Sequence, residues 1–207
     1  MTTTHGPAPA PAGERRYAPD VALVVVDVQN DFADPAGSLY VPGGEQVVPL
    51  VATEVAAARA AGATVVYTQD WHPPSTPHFA KDGGVWPVHC VADTWGAELH
   101  PGLPVVGPVV RKGSGGEDGY SGFSVRDPVS GASGATELGR LLADAGVRRL
   151  VVVGLAGDYC VKDTALDGIR LGFPVTVPLA LTRFVNLQPG DDAAAVAQLT
   201  GAGVTTA

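Results

Sequence analysis

Three times along this chain a helical run stops at a glycine and a valine-rich strand follows within a few residues. Residues 47–61 are alanine-rich and helical, Gly62 ends them, and 64–68 read as a strand. Residues 136–145 end at Gly146 before a strand at 149–153, and 161–171 end at Gly172 before a strand at 174–177. A fourth helix at 191–200 leads to Gly203-Val204-Thr205, the start of a short last strand. Glycine just past a helix end supplies the left-handed cap. Strands separated by helices cross over right-handedly and therefore lie parallel. With two further apolar runs, 22–26 and 105–110, the pattern predicts a doubly wound parallel sheet of about six strands in a three-layer α/β/α sandwich.

The 207 residues are enough for one domain with a full core, and no linker divides them. Residues 1–19 are rich in Thr, Ala and Pro and lack the apolar centre of a signal peptide, so they read as a disordered tail before a single domain at 20–207. A formal charge of -8 argues against nucleic acid as a partner, which calls for a basic face. No apolar run approaches the roughly 20 residues of a membrane span. Two cysteines, Cys90 and Cys160, are too few for a disulfide framework and fit a reducing, cytoplasmic setting.

In such folds chemistry collects where strands end. The run 150–153 ends in Gly154-Leu155-Ala156-Gly157-Asp158-Tyr159-Cys160. Asp158 reads as the N-cap of the next helix, which puts Cys160 in its first turn, where the helix dipole favours a thiolate. A small buried hydrophobe fits that cysteine equally well. Asp27 follows the first strand, as a carboxylate at the active edge or as a plain turn former. Lys112 ends the strand near 110, at the same edge or in solvated loop. Two long loops follow strands at that edge, one from His72 to about Leu103 and one from Gly113 to Gly134. Four of the five histidines lie between His72 and His100, and Asp70 and His72 are two apart, on one side of an extended chain. Asp with several imidazoles suits a divalent transition ion such as zinc, iron or manganese, in an open site; ordinary loop histidines fit the spacing too.

The motifs Asp-Val-Gln-Asn-Asp-Phe at 27–32, Asp-Trp-His-Pro at 70–73, Trp-Pro-Val-His-Cys-Val at 86–91, Arg-Lys-Gly at 111–113, Tyr-Ser-Gly-Phe at 120–123 and Gly-Asp-Tyr-Cys-Val at 157–161 go together. In that order they resemble the nicotinamidases (pyrazinamidases) of the isochorismatase-like cysteine hydrolase superfamily, over nearly the whole chain after the tail. The resemblance implies the isochorismatase-like hydrolase fold and a triad of Asp27, Lys112 and Cys160. It implies one divalent ion, zinc first, on Asp70, His72 and His89, with His78 as a further ligand in some members. It implies a cis peptide before Ala156, which would turn the N–H groups of Ala156 and Cys160 into an oxyanion hole, and Phe32 and Trp86 as aromatic walls, with Tyr120 and Tyr159 beside them. Tyr159 stands where many members have His. The activity implied is hydrolysis of nicotinamide, and of pyrazinamide, to the acid and ammonia through a thioester in NAD salvage; a homo-oligomer is left open. Two other readings share the scaffold. A carbamoyl-amide hydrolase or other superfamily hydrolase usually lacks the metal set, and a silent binding protein has no need of the triad.

Overall fold

The computed structural model describes residues 16–207. The strands are β1 (Val21–Val26), β2 (Thr64–Asp70), β3 (Val109–Lys112), β4 (Ser124–Arg126), β5 (Ser133–Ala135), β6 (Arg149–Leu155), β7 (Val175–Val177), β8 (Thr182–Arg183) and β9 (Thr205–Thr206). The helices are α1 (Asn30–Ala33), α2 (Gly44–Ala60), α3 (Leu138–Asp144), α4 (Cys160–Arg170) and α5 (Asp191–Gly201). The main sheet runs β3-β2-β1-β6-β7-β9, with β8 pairing the end of β6, and every pairing in it is parallel. This is the doubly wound α/β sheet that the helix–glycine–strand repetition predicts, with β8 as a short addition.

The alternation of β1 shows how the layers form. Val21, Leu23 and Val25 join the core under α2, while Ala22, Val24 and Val26 face the core that contains residues of α3, α4 and α5. Successive side chains of a strand point to opposite faces, so a strand apolar at every position is covered on both. Chain order reverses between β1 and β6, the place where open α/β sheets leave a crevice at their carboxyl edge. No helix among the described residues is long and apolar enough to cross a membrane.

Three local details correct or extend the sequence reading. The strand predicted at 105–110 begins only at Val109, and Val105 and Val106 are exposed. Pro108 has no N–H to donate and serves the ladder only through its carbonyl, which accepts from Tyr67 N at 3.0 Å. The second long loop is not structureless, since β4 and β5 pair within it as an antiparallel hairpin. Of the tail predicted over 1–19, residues 1–15 lie outside the described residues, and Tyr17 is buried with its hydroxyl donating to Glu54 at 2.5 Å.

Gly154 sits in β6 directly opposite Val26 of β1, at a φ of 113° that side chains rarely adopt. A methyl group there would run into the backbone carbonyl of Val26. Gly154→Ala is expected to destabilise the fold by about 3 kcal/mol or more, combining overpacking with a left-handed backbone. The midpoint of urea unfolding checks this, and an unchanged midpoint would contradict the packing described.

Candidate active site

Three neighbouring strands end side by side. Asp27 follows β1, Asp70 closes β2 and Lys112 closes β3, with Asp70 in register opposite Lys112. Adjacent strands lie about 4.8 Å apart, so side chains at their ends meet. Lys112 Nζ stands 2.9 Å from Asp27 Oδ2 and donates a short hydrogen bond to Asp70 Oδ1. It is 2% exposed, which removes the solvated-loop reading of this lysine. Asp27 has a left-handed backbone, φ 48°, a conformation that Asp tolerates better than most residues. Its N–H donates to Thr68 O at 3.3 Å, and Thr68 Oγ1 donates to its Oδ1 at 2.6 Å. The turn and the threonine together aim the carboxylate inward.

Across the switch point Cys160 opens α4, with Sγ 3.7 Å from Lys112 Nζ. Sγ and one carboxylate oxygen each from Asp27 and Asp70 all lie within 4.8 Å of one another. The peptide between Leu155 and Ala156 is cis. Asp158 does not cap α4. Its carboxylate instead accepts from Val185 N at 3.0 Å and Asn186 N at 2.9 Å, clamping that segment beside the pocket, and Tyr159 takes the capping position with no side-chain bond.

Charge decides the protonation. Burial pushes the Cys160 thiol well above its ordinary value, and Asp27 and Asp70 push it further against the pull of Lys112. The thiolate favoured at the sequence level therefore gives way to a thiol. Two carboxylates already share one ammonium, so a third anion is disfavoured and chemistry at the sulfur needs a base. The carboxylates differ in a way that supplies one. Burial raises Asp27, with Asp70 adding and Lys112 opposing. Burial also works against the charge of Asp70, but Lys112, His72 and His89 outweigh it and hold its carboxyl below the usual range. Burial disfavours the Lys112 ammonium too, yet Asp27 and Asp70 hold it well above its ordinary value. Asp70 is thus the fixed counter-charge and Asp27 the carboxylate able to carry a proton.

The first long loop brings three histidines beside this group. His72 N donates to Cys90 O at 2.9 Å and Ala92 N to His72 O at 2.8 Å, a parallel bridge that folds residues 89–92 back onto 72. A second bridge, Phe79 with Trp86, holds His78. One ring nitrogen each from His72, His78 and His89 lies within 4.8 Å of the others. The donor set fits a divalent ion. Both ring nitrogens of His72 are buried with no hydrogen-bond partner among the described residues. Burial pushes its pKa down to about 4 and lowers that of His89, so both are neutral imidazoles at pH 7, the form a metal needs. His89 Nδ1 is 2.7 Å from Pro87 O, which leaves Nε2 as the lone-pair nitrogen. Asp70 turns Oδ2 to the same side, 3.9 Å from His72 Nε2.

Between the thiol and the imidazoles lies a small pocket. Phe32, Trp86, Tyr120, Tyr159, Ala156 and all three histidines line it, as do Asp70 and Cys160, whereas Asp27 and Lys112 stand behind them. Trp86, Tyr120 and Tyr159 meet edge to face, with centroids 5.0–6.4 Å apart, and Trp86 Nε1 donates to Tyr120 Oη at 2.9 Å. Phe32 leans on His89 at 5.5 Å. This suits a flat ring with a reactive substituent toward Cys160.

Sequence reasoning missed the supports. Leu39, Val41 and Val185 complete the wall as ordinary apolar residues of connecting segments, with nothing in the sequence to mark them. Gln29 had a signal, a polar residue within a strand-end motif. Buried completely, it donates to Asp70 O and Ala97 O and accepts from Asp70 N, all at 2.8 Å. Asp118, 2.7 Å from His78 Nδ1, was also missed.

The isochorismatase domain family matches residues 21–207. The nicotinamidase of Escherichia coli is 38% identical over 205 residues, covering 90% of this chain and 94% of its own. The pyrazinamidase of Pyrococcus horikoshii in complex with zinc is 35% identical with a TM-score of 0.81, over 91% of this chain and 99% of its own. The PnC1 protein of L. infantum in complex with nicotinate is 36% identical with a TM-score of 0.82, over 92% and 94%.

Removing the ammonium leaves two buried carboxylates facing each other. Lys112→Met is expected to cost about 3–5 kcal/mol at neutral pH, the usual cost of an uncompensated buried charge. Without Lys112 the folded-state pKa values of Asp27 and Asp70 rise above their unfolded ones, so their contribution is retained in acid and lost as pH rises through the folded values. Urea unfolding of variant and wild type at pH 5 and pH 7.5 checks this; a penalty that shrinks with rising pH would contradict it.

Proposed function

The chain belongs to the isochorismatase family, and we propose that it works there as a nicotinamidase, hydrolysing nicotinamide to nicotinate and ammonia and accepting pyrazinamide. The observation that carries this reading is a pocket with two unlike ends: a thiol beside a carboxylate able to take its proton, and three clustered imidazoles, with aromatic rings between. In this reading Asp27 takes the thiol proton as Cys160 Sγ attacks the carboxamide carbon. The N–H groups of Ala156 and Cys160 hold the developing oxyanion; that of Cys160 opens a helix and has no intrahelical acceptor. Asp27 then gives its proton to the departing ammonia, leaving a thioester. Water, deprotonated by Asp27, cleaves the thioester and regenerates the thiol. Lys112 keeps Asp27 and Asp70 in place and stabilises the negative charge that develops on the sulfur as its proton leaves. Phe32, Trp86, Tyr120 and Tyr159 hold the ring.

His72, His78, His89 and Asp70 would hold a divalent ion, zinc ahead of iron or manganese, which when bound supplies a Lewis-acidic anchor for the ring nitrogen. The metal set is also what favours nicotinamide over the carbamoyl amides of related hydrolases. Nicotinate formed here would return to NAD salvage, in a cytoplasm reducing enough to keep Cys160 a thiol.

Cys160→Ala is expected to lower kcat for ammonia release about a thousandfold or more while leaving the fold intact. Quenched wild-type reactions should show the thioester adduct by mass spectrometry. A Cys160→Ala enzyme with substantial turnover would end the covalent reading.

Chelation of the ion, or His72→Ala, is expected to cut kcat/KM for nicotinamide about a hundredfold, because ring placement is lost. Benzamide, which lacks the ring nitrogen, should be a poor substrate throughout. Cys160 should still react with a small alkylating reagent after chelation. Nicotinamide turnover unaffected by chelation, or benzamide cleaved as well as nicotinamide, would reject the anchoring role.

A further inference from the structure

Asp118 enters none of the steps above, yet it is joined to one of the clustered histidines. Its Oδ1 lies 2.7 Å from His78 Nδ1 and accepts from Gly119 N at 2.9 Å. Among the three histidines the far nitrogens are treated unequally. His89 has the carbonyl of Pro87, His72 has no partner among the described residues, and His78 has a carboxylate. The carboxylate is not itself in the pocket. Gly119 and Tyr120 line it, whereas Asp118 opens onto a separate polar cleft between the β4–β5 hairpin and α4. It therefore acts on the pocket through His78.

The backbone of Asp118 is held independently of its side chain. Its N–H donates to Arg126 O at 2.7 Å and its carbonyl accepts from Arg126 N at 2.5 Å, a bridge that continues into the hairpin. Thr76 Oγ1 donates to Gly116 O at 3.0 Å, a second tie between the two long loops that does not involve the carboxylate. The loop junction thus has its own fastenings, and the charge of Asp118 is free for another purpose. A carboxylate accepting the N–H of one ring nitrogen fixes the tautomer, holds the ring's rotation and makes the other nitrogen a stronger ligand.

We propose that Asp118 is a positioning residue of the metal site, committing His78 to Nδ1–H and Nε2 as ligand and tying ion binding to the fold of the second loop. This rests on the reading of His72, His78 and His89 as metal ligands. The same segment reaches the other end of the pocket, since Tyr120, two residues on, braces Trp86. One short stretch of loop therefore supports both the ion-binding histidines and the ring-binding wall.

The test is zinc affinity, by competition with a chromophoric chelator, in wild type, Asp118→Asn, Asp118→Ala and His78→Ala, with the visible spectrum of the cobalt(II)-loaded proteins. Asp118→Ala is expected to weaken zinc binding about 10–100-fold and Asp118→Asn by less, since Asn keeps an acceptor without the charge. The cobalt bands should shift in both, while metal-free thermal unfolding stays at the wild-type midpoint in Asp118→Asn, whose backbone bridge is untouched. If Asp118→Ala does not fold, Asp118→Asn carries the same comparison. Wild-type affinity and spectrum in the Asp118 variants, with His78→Ala weakened, would overturn the positioning role alone. Wild-type affinity in His78→Ala as well would overturn the assignment of His78 on which it rests.

Discussion

The carboxyl edge of the sheet depends on one buried ammonium. Lys112 lies between Asp27 and Asp70, each contributed by a neighbouring strand, and all three are almost wholly shielded from water. Burying three charges is costly unless each is neutralised and hydrogen-bonded. Here the ammonium neutralises, Thr68 holds Asp27, and the buried amide of Gln29 grips the backbone of Asp70. The same arrangement sorts the protons: one carboxylate stays charged, the other can exchange, and the thiol nearby keeps its hydrogen until a base removes it.

From that edge the two long loops each take one task at each end of the pocket. The first supplies His72, His78 and His89 through two isolated bridges, and also Trp86. The second supplies Tyr120 against Trp86 and Asp118 against His78. The first loop, with only isolated bridges and no ladder of its own, is positioned by such point contacts, which explains why side-chain-to-backbone bonds gather there. Asp31 is an example, accepting from Ser38 N at 2.9 Å and Cys90 N at 2.7 Å and so linking α1 to the residue after His89.

Much of this is legible in the sequence, for a physical reason. Strands covered on both faces are apolar along most of their length, so polar residues gathered at their carboxyl ends mark the sheet's edge, and Asp27, Asp70 and Lys112 are such residues. Cys160 is legible from its glycine-rich turn. What escapes is whatever depends on distant partners. Asp158 has the composition of a helix cap, but the 185–186 segment, far along the chain, claims its carboxylate. The dipole argument for a thiolate at Cys160 is sound locally and is overruled by two carboxylates from other strands. The β4–β5 hairpin is short, glycine- and serine-rich and largely exposed, so no hydrophobic alternation announces it.

The left-handed backbone at Asp27 also limits what evolution can try at that position. Only glycine, asparagine, aspartate and histidine enter that conformation with any ease. Of these, aspartate alone offers a carboxylate on a short arm. Glutamate, the obvious substitute elsewhere, would have to take on an unfavourable backbone and a longer reach in one step. A lineage exploring new substrates on this scaffold can therefore reshape the loops freely, but it can alter the residue after β1 only by first rebuilding the turn that holds it.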